Sequence, residues 1–148
     1  MKIKLMIFCS LTLFLFSCDD DNGNGADNSS NPNLTEPLNT NLPGDAWVIT
    51  EFIDDDDNET NAFSGFTFTF DPDSTLTAFR AADSTTVSGV WFTLFDDGQT
   101  ELWIEFPNSN DWRFQEISED WYVISQSSDL IRLREDDDDN ADRLRFER

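Results

Sequence analysis

From Ala46 onward, large apolar residues recur at every second position, and short polar clusters interrupt them. That period places alternate side chains on opposite faces of an extended strand, and the clusters mark turns. The pattern predicts eight strands, over 46–53, 63–70, 75–81, 87–94, 100–106, 121–126, 130–135 and 143–147. In the second, Phe66, Phe68 and Phe70 share one face, with Thr67 and Thr69 on the other. In the fifth, Leu102, Ile104 and Phe106 oppose Glu101, Trp103 and Glu105; in the last, Leu144 and Phe146 oppose Arg143, Arg145 and Glu147. Asp71-Pro72-Asp73-Ser74 and Asp96-Asp97-Gly98 supply turns. After Pro107 the rhythm stops, and Asp111 is placed to cap a short helix over 112–118. Antiparallel strands with short connections predict an all-β fold. An eight-stranded up-and-down barrel, with the helix between strands five and six, removes the exposed edges that invite aggregation. A two-sheet β-sandwich is the alternative.

The N-terminus has a different pattern. Lys2 and Lys4 precede an apolar run over 5–16. Its length suits a signal-peptide core and falls short of the roughly 20 residues a spanning helix needs. Leu15-Phe16-Ser17-Cys18 closes the run and resembles the lipobox of bacterial lipoproteins, with Phe16 bulkier than the usual small residue. The resemblance implies cleavage after residue 17, diacylglycerol on the Cys18 thiol and acylation of the new amine. Two or three acyl chains of this palmitate-like kind hold a protein stably to an outer membrane. Residues 18–43 are rich in Asp, Asn, Gly, Ser and Pro, with only Leu34, Leu38 and Leu42 as larger apolar residues. Such a segment is expected to be a disordered tether, because it buries too little surface to offset its ordering entropy. Asp19, Asp20 and Asp21 resemble an acidic export signal, which favours the cell surface over a periplasm-facing position. The folded domain is expected over 44–148.

Charge narrows the chemistry. The chain carries 31 acidic and 9 basic residues, a net charge of −22. Both lysines lie in the signal, so the mature chain sets seven arginines against all 31 acids, a net of −24. That surface repels nucleic acid and anionic membranes and attracts cations. There is no His, and Cys9 and Cys18 are the two cysteines. With Cys9 lost and Cys18 acylated, the domain has no thiol, disulfide, His-zinc or Ser-His-Asp chemistry. Fourteen Phe and five Trp supply the bulk of one core.

Over 42–148 the chain resembles small bacterial lipoproteins with a lipocalin-like barrel. The marks are Gly44-Asp45-Ala46-Trp47-Val48-Ile49, Phe63 to Phe70, Ser88-Gly89-Val90-Trp91, Asp120-Trp121-Tyr122-Val123 and Arg143-Leu144-Arg145-Phe146. Lipocalins usually show Gly-x-Trp at the first strand, whereas two residues separate Gly44 from Trp47 here. The resemblance implies a barrel with room for a pocket and no particular activity.

Three candidate sites follow. Trp47, Phe66, Phe68, Phe70, Trp91 and Trp121 are positioned to line an apolar pocket, or equally to fill a core; Tyr122 is the alternative to Trp121. Two acidic runs, Asp54-Asp55-Asp56-Asp57-Asn58-Glu59 and Asp136-Asp137-Asp138-Asp139-Asn140, follow strands one and seven. In a closed meander the first and last strands are neighbours, so both runs reach one rim. Asp54, Asp56, Asn58, Asp136, Asp138 and Asn140 then offer the oxygen ligands a hard cation such as Ca²⁺ takes, against the plainer reading of a solvated, self-repelling loop. An EF-hand is excluded, since Glu59 and Gly65 stand where Gly and a bidentate Glu are needed. Arg80, Arg132 and Arg134 lie in strands, to meet an anionic group or pair with surface acids. A two-carboxylate glycosidase needs one acid in a pocket that raises its pKa, whereas nearly every acid here lies in a polar run or on an outward strand face; Glu101 and Glu105 come nearest to such a pair.

The expected function is non-catalytic. The first expectation is a lipid-anchored envelope protein binding a small apolar or glycan-like ligand, with no cofactor and no nucleic acid. The second is a structural or interaction protein with a filled barrel and an acidic, Ca²⁺-binding rim.

Overall fold

The computed structural model describes residues 35–96, 98–135 and 142–148. The signal, Cys18, the acids after it, and Asp136, Asp138 and Asn140 lie outside the described residues. The elements run α1 (Thr35–Asn41), β1 (Val48–Asp54), β2 (Asp57–Asn58), a 3₁₀ turn (Thr60–Phe63), β3 (Phe66–Phe70), β4 (Thr75–Arg80), β5 (Thr85–Asp96), β6 (Gln99–Glu105), α2 (Trp112–Glu116), β7 (Asp120–Gln126), β8 (Leu130–Arg134) and β9 (Arg143–Glu147).

The strands form one antiparallel sheet in the order β2-β1-β9-β8-β7-β6-β5-β4-β3. From β3 to β9 each strand pairs with its successor, as an up-and-down meander requires, and β9 returns to pair with β1. Alternation decided which faces were buried. Phe66, Phe68, Phe70, Leu102, Ile104, Leu144 and Phe146 all lie in one core, and the residues between them face outward.

The sheet differs from the expected barrel in two ways. It has nine strands, and its ladder does not close into a barrel; nor are there two sheets, as a sandwich would need. The cause is local to the end of β1. Asp55 and Asp56 adopt left-handed φ values of 47° and 69°, which Asp tolerates better than most residues. The chain therefore doubles back as β2 and occupies the upper edge of β1. Lower down, Trp47 exchanges two backbone hydrogen bonds of 2.8 Å with Phe68, and Pro43 bridges to Phe70. In the gap above that bridge, Phe63 of the 3₁₀ turn stands between Phe52 and Phe68, with ring centroids 5.6 and 6.1 Å away.

The expected tether also ends earlier. Residues 35–43 belong to the fold, because Leu38 and Leu42 are one helical turn apart and both fully buried. A segment polar on average still carries a two-residue apolar stripe. The indole Nε1 of Trp47 donates to Leu42 O at 2.9 Å, and Asn41 donates to Gln126 Oε1 at 2.7 Å. These contacts hold α1 at the end of the sheet where β7 finishes.

The opposite end is stopped by α2. Asp111 caps it by accepting from the Arg113 backbone N–H at 3.2 Å. The helix is two residues shorter than predicted, and Ser118, beyond it, accepts from Phe106 N at 2.9 Å. Phe114 is fully buried against Phe63, Phe66 and Phe106, with centroids 4.8–6.0 Å apart. Gly89 is needed for close approach: a Cβ there would lie 2.5 Å from Glu105 O and 2.7 Å from a Phe106 ring carbon.

Candidate functional site

The six aromatic candidates come together, all at 4% exposure or less. Phe66, Phe68, Phe70 and Trp91 meet neighbouring rings mainly edge-on, the favoured geometry for rings with a negative face and positive edge. Phe70 lies 5.7 Å from Trp91 and 5.6 Å from Phe146; Phe68 lies 5.4 Å from Phe146. Each indole N–H is satisfied by a backbone carbonyl, Trp47 on Leu42, Trp91 on Asp71 and Trp121 on Ile117. Tyr122 alternates away from the core and is only half-buried.

Trp91 also reaches a cleft of about 380 Å³ at the α1 end of the sheet. Asn39, Ser74, Phe92 and Thr93 line it, with Pro43 and Pro72. Phe92 projects from the outer face of β5, 39% exposed, and stacks on its cross-strand partner Trp103 at 5.4 Å and 12°. Thr93 Oγ1 donates to Asn39 Oδ1 at 2.9 Å, joining α1 to the cleft wall. Sequence reasoning missed Phe92 and Trp103 as a pair. Their alternation was legible, but the register that sets them opposite each other was not.

At the rim, β1 and β9 are neighbours, as a closed meander demanded. The Asp55 backbone N–H donates to Asp142 Oδ1 at 2.9 Å, a contact made next to the second acidic run rather than within it. Asp54 is the residue most affected. Desolvation raises its pKa to about 6, helped by the charges of Asp142, Glu116 and Asp55. Asp56 and Asn58 are exposed. Among the described residues, no group of three or more acids is arranged to hold a metal ion.

The strand arginines divide. Arg80 pairs with Asp83 at 2.7 Å and lies 4.6 Å over the Phe66 ring. That hydrogen bond holds the Asp83 carboxyl far below the usual carboxylate range and raises the guanidinium. Arg132 and Arg134 point outward from β8, where pairing sets them opposite Arg145 and Arg143. Glu101 and Glu105 lie on the outer face of β6. Four residues of strand separate them by roughly 13 Å, more than a glycosidase carboxyl pair spans.

No family model matches this chain, and no curated protein or solved structure matches it either.

Proposed function

We propose that the chain is a lipid-anchored outer-membrane protein, acylated at Cys18 and displayed at the cell surface, whose barrel-like domain binds a neutral glycan without catalysis. The observation that carries the reading is the cleft beside Trp91. Its mixed lining suits a sugar: the C–H face lies over the exposed Phe92 ring, while Asn39, Ser74 and Thr93 supply partners for hydroxyls. A volume of about 380 Å³ accepts a small ligand. The bridge from Trp47 to Phe68 favours a sheet that curls nearly onto itself around a filled interior. The interlocked core rings, with their indole donors used internally, favour binding outside over binding inside.

The test is titration of the full chain with neutral oligosaccharides, in parallel with Phe92→Ala and Trp103→Ala. Saturable binding that both substitutions weaken at least tenfold, with the fold retained and the melting temperature lowered only by the few degrees that about 1 kcal/mol implies, is expected. Binding indifferent to both, or absent across a broad panel of neutral glycans, rejects the cleft. Fatty-acid incorporation abolished by Cys18→Ser tests the anchor.

A second reading is a Ca²⁺ site at the acidic rim, comprising Asp54, Asp56 and Asn58 with Asp136, Asp138 and Asn140. The crowding of Asp54 by Asp142 and Glu116 favours it, since a divalent cation relieves that repulsion. Millimolar Ca²⁺, with Mg²⁺ as control, should then raise the melting temperature, because a ligand of the folded state stabilises it. No rise removes this reading.

A further inference from the structure

The outer face of β8 and β9 concentrates positive charge on a strongly acidic protein. Arg132 faces Arg145 and Arg134 faces Arg143 in the ladder, so four of the chain's nine basic residues occupy two adjacent cross-strand rows. Like charges directly opposite one another on a sheet are unfavourable. Arg145 is relieved locally, by Glu147 at 3.1 Å and by donating to Thr50 Oγ1 at 2.9 Å. Among the described residues, no carboxylate lies within ion-pair distance of Arg132, Arg134 or Arg143. These three arginines line a second cleft of about 380 Å³ together with Glu51 and Ile124.

Ile124 sits where the pairing of β7 with β8 slips by a residue, between Val123 and Ser125. Such a bulge re-aims a side chain, and Ile124 is left 52% exposed. The cleft therefore combines guanidinium forks with an exposed branched aliphatic residue and the apolar stems of the arginines. Guanidinium groups bind carboxylate, sulfate and phosphate oxygens in pairs of hydrogen bonds. We infer that this cleft binds a small monoanionic amphiphile. Its oxyanion head lies among Arg132, Arg134 and Arg143, and its apolar body lies against Ile124. The overall charge of −22 argues against a polyanion or a second copy of the chain, both of which the rest of the surface repels. A single anion with an apolar body gains the local charge and meets least of that repulsion. The inference is independent of the glycan cleft, which lies on β5 at the α1 end.

The test is calorimetric titration of the full chain carrying Cys18→Ser, so that no acyl anchor competes, with octanoate, octanol and inorganic phosphate. Octanoate should bind saturably and at least tenfold more tightly than the other two. Arg134→Gln with Arg143→Gln should weaken it at least tenfold without lowering the melting temperature, and Ile124→Ser should weaken it while leaving phosphate unaffected. Equal binding of phosphate and octanoate overturns the amphiphile. Binding only to anionic vesicles, or only to a polyuronate, transfers the strip to a different partner and also overturns it. Octanoate binding that appears only after Asp136 to Asp139 are changed to Asn means that the chain's own acids satisfy the arginines, and the inference fails.

Discussion

The β5–β6 half of the outer face presents Val90, Phe92, Leu94 and Trp103, whereas the β8–β9 half presents Arg132, Arg134, Arg143 and Arg145. Beneath both halves the inner face is the same in kind: Trp91, Leu102 and Ile104 on one side, Ile131, Leu133, Leu144 and Phe146 on the other. The sheet is thus held from within by residues of one chemistry, while its exterior carries two. Because outer side chains lose little water on folding, changing them costs little stability. The two halves are free to differ in what they recognise.

Inner-face substitutions should therefore dominate stability. Phe146→Ala removes a fully buried ring that touches Phe68 and Phe70 and should cost about 3–5 kcal/mol in urea unfolding. A loss no larger than that of an outer-face residue breaks the distinction. Gly89→Ala forces a methyl group into the carbonyl of Glu105 and the Phe106 ring, with an expected loss of about 1–3 kcal/mol. Its outward neighbour Ser88 should accept Ala within about 0.5 kcal/mol.

On the outer face, Phe92→Ala should cost about 1 kcal/mol, mostly through the stack on Trp103, and a double-mutant cycle with Trp103→Ala isolates that share. In the other half the sign reverses. Arg134→Glu replaces a like-charged pair by an attractive one opposite Arg143, and should stabilise by a few tenths of a kcal/mol. The gain should fade in high salt, and a loss of stability there removes the argument from repulsion.

A small, pH-dependent effect sharpens the rim. Asp54 has a folded pKa of about 6, above its ordinary 3.8. Between those values the folded state binds more protons than the unfolded, so this residue's contribution to stability falls as pH rises from about 4 to 6 and stays reduced above that. Asp54→Asn should therefore stabilise at pH 7, by under about 1 kcal/mol after solvent screening, and change little at pH 4. An equal effect at both values rejects the electrostatic account.

Most strands and one capped helix were legible because a period of two is a property of consecutive residues. Phe66, Phe68 and Phe70 had to share a face whatever they packed against. The adjacency of β1 and β9 is the part of the expected barrel that the sheet keeps. The helix at 35–41 was misread because mean composition hides two leucines spaced for one turn, and their value depends on a core that other segments build. The same holds for the edge of β1. Two aspartates in left-handed conformations turn the chain onto that edge, and one of them, Asp55, donates its backbone N–H to Asp142, 87 residues on.

Alternation along each segment was enough to specify an all-β meander and which strand residues it buries, since strand periodicity is local. Which outer side chains meet, Phe92 with Trp103 or Arg134 with Arg143, was settled only by register between strands. Register comes from packing and turns summed over the whole sheet, and a slip of one residue would exchange its faces.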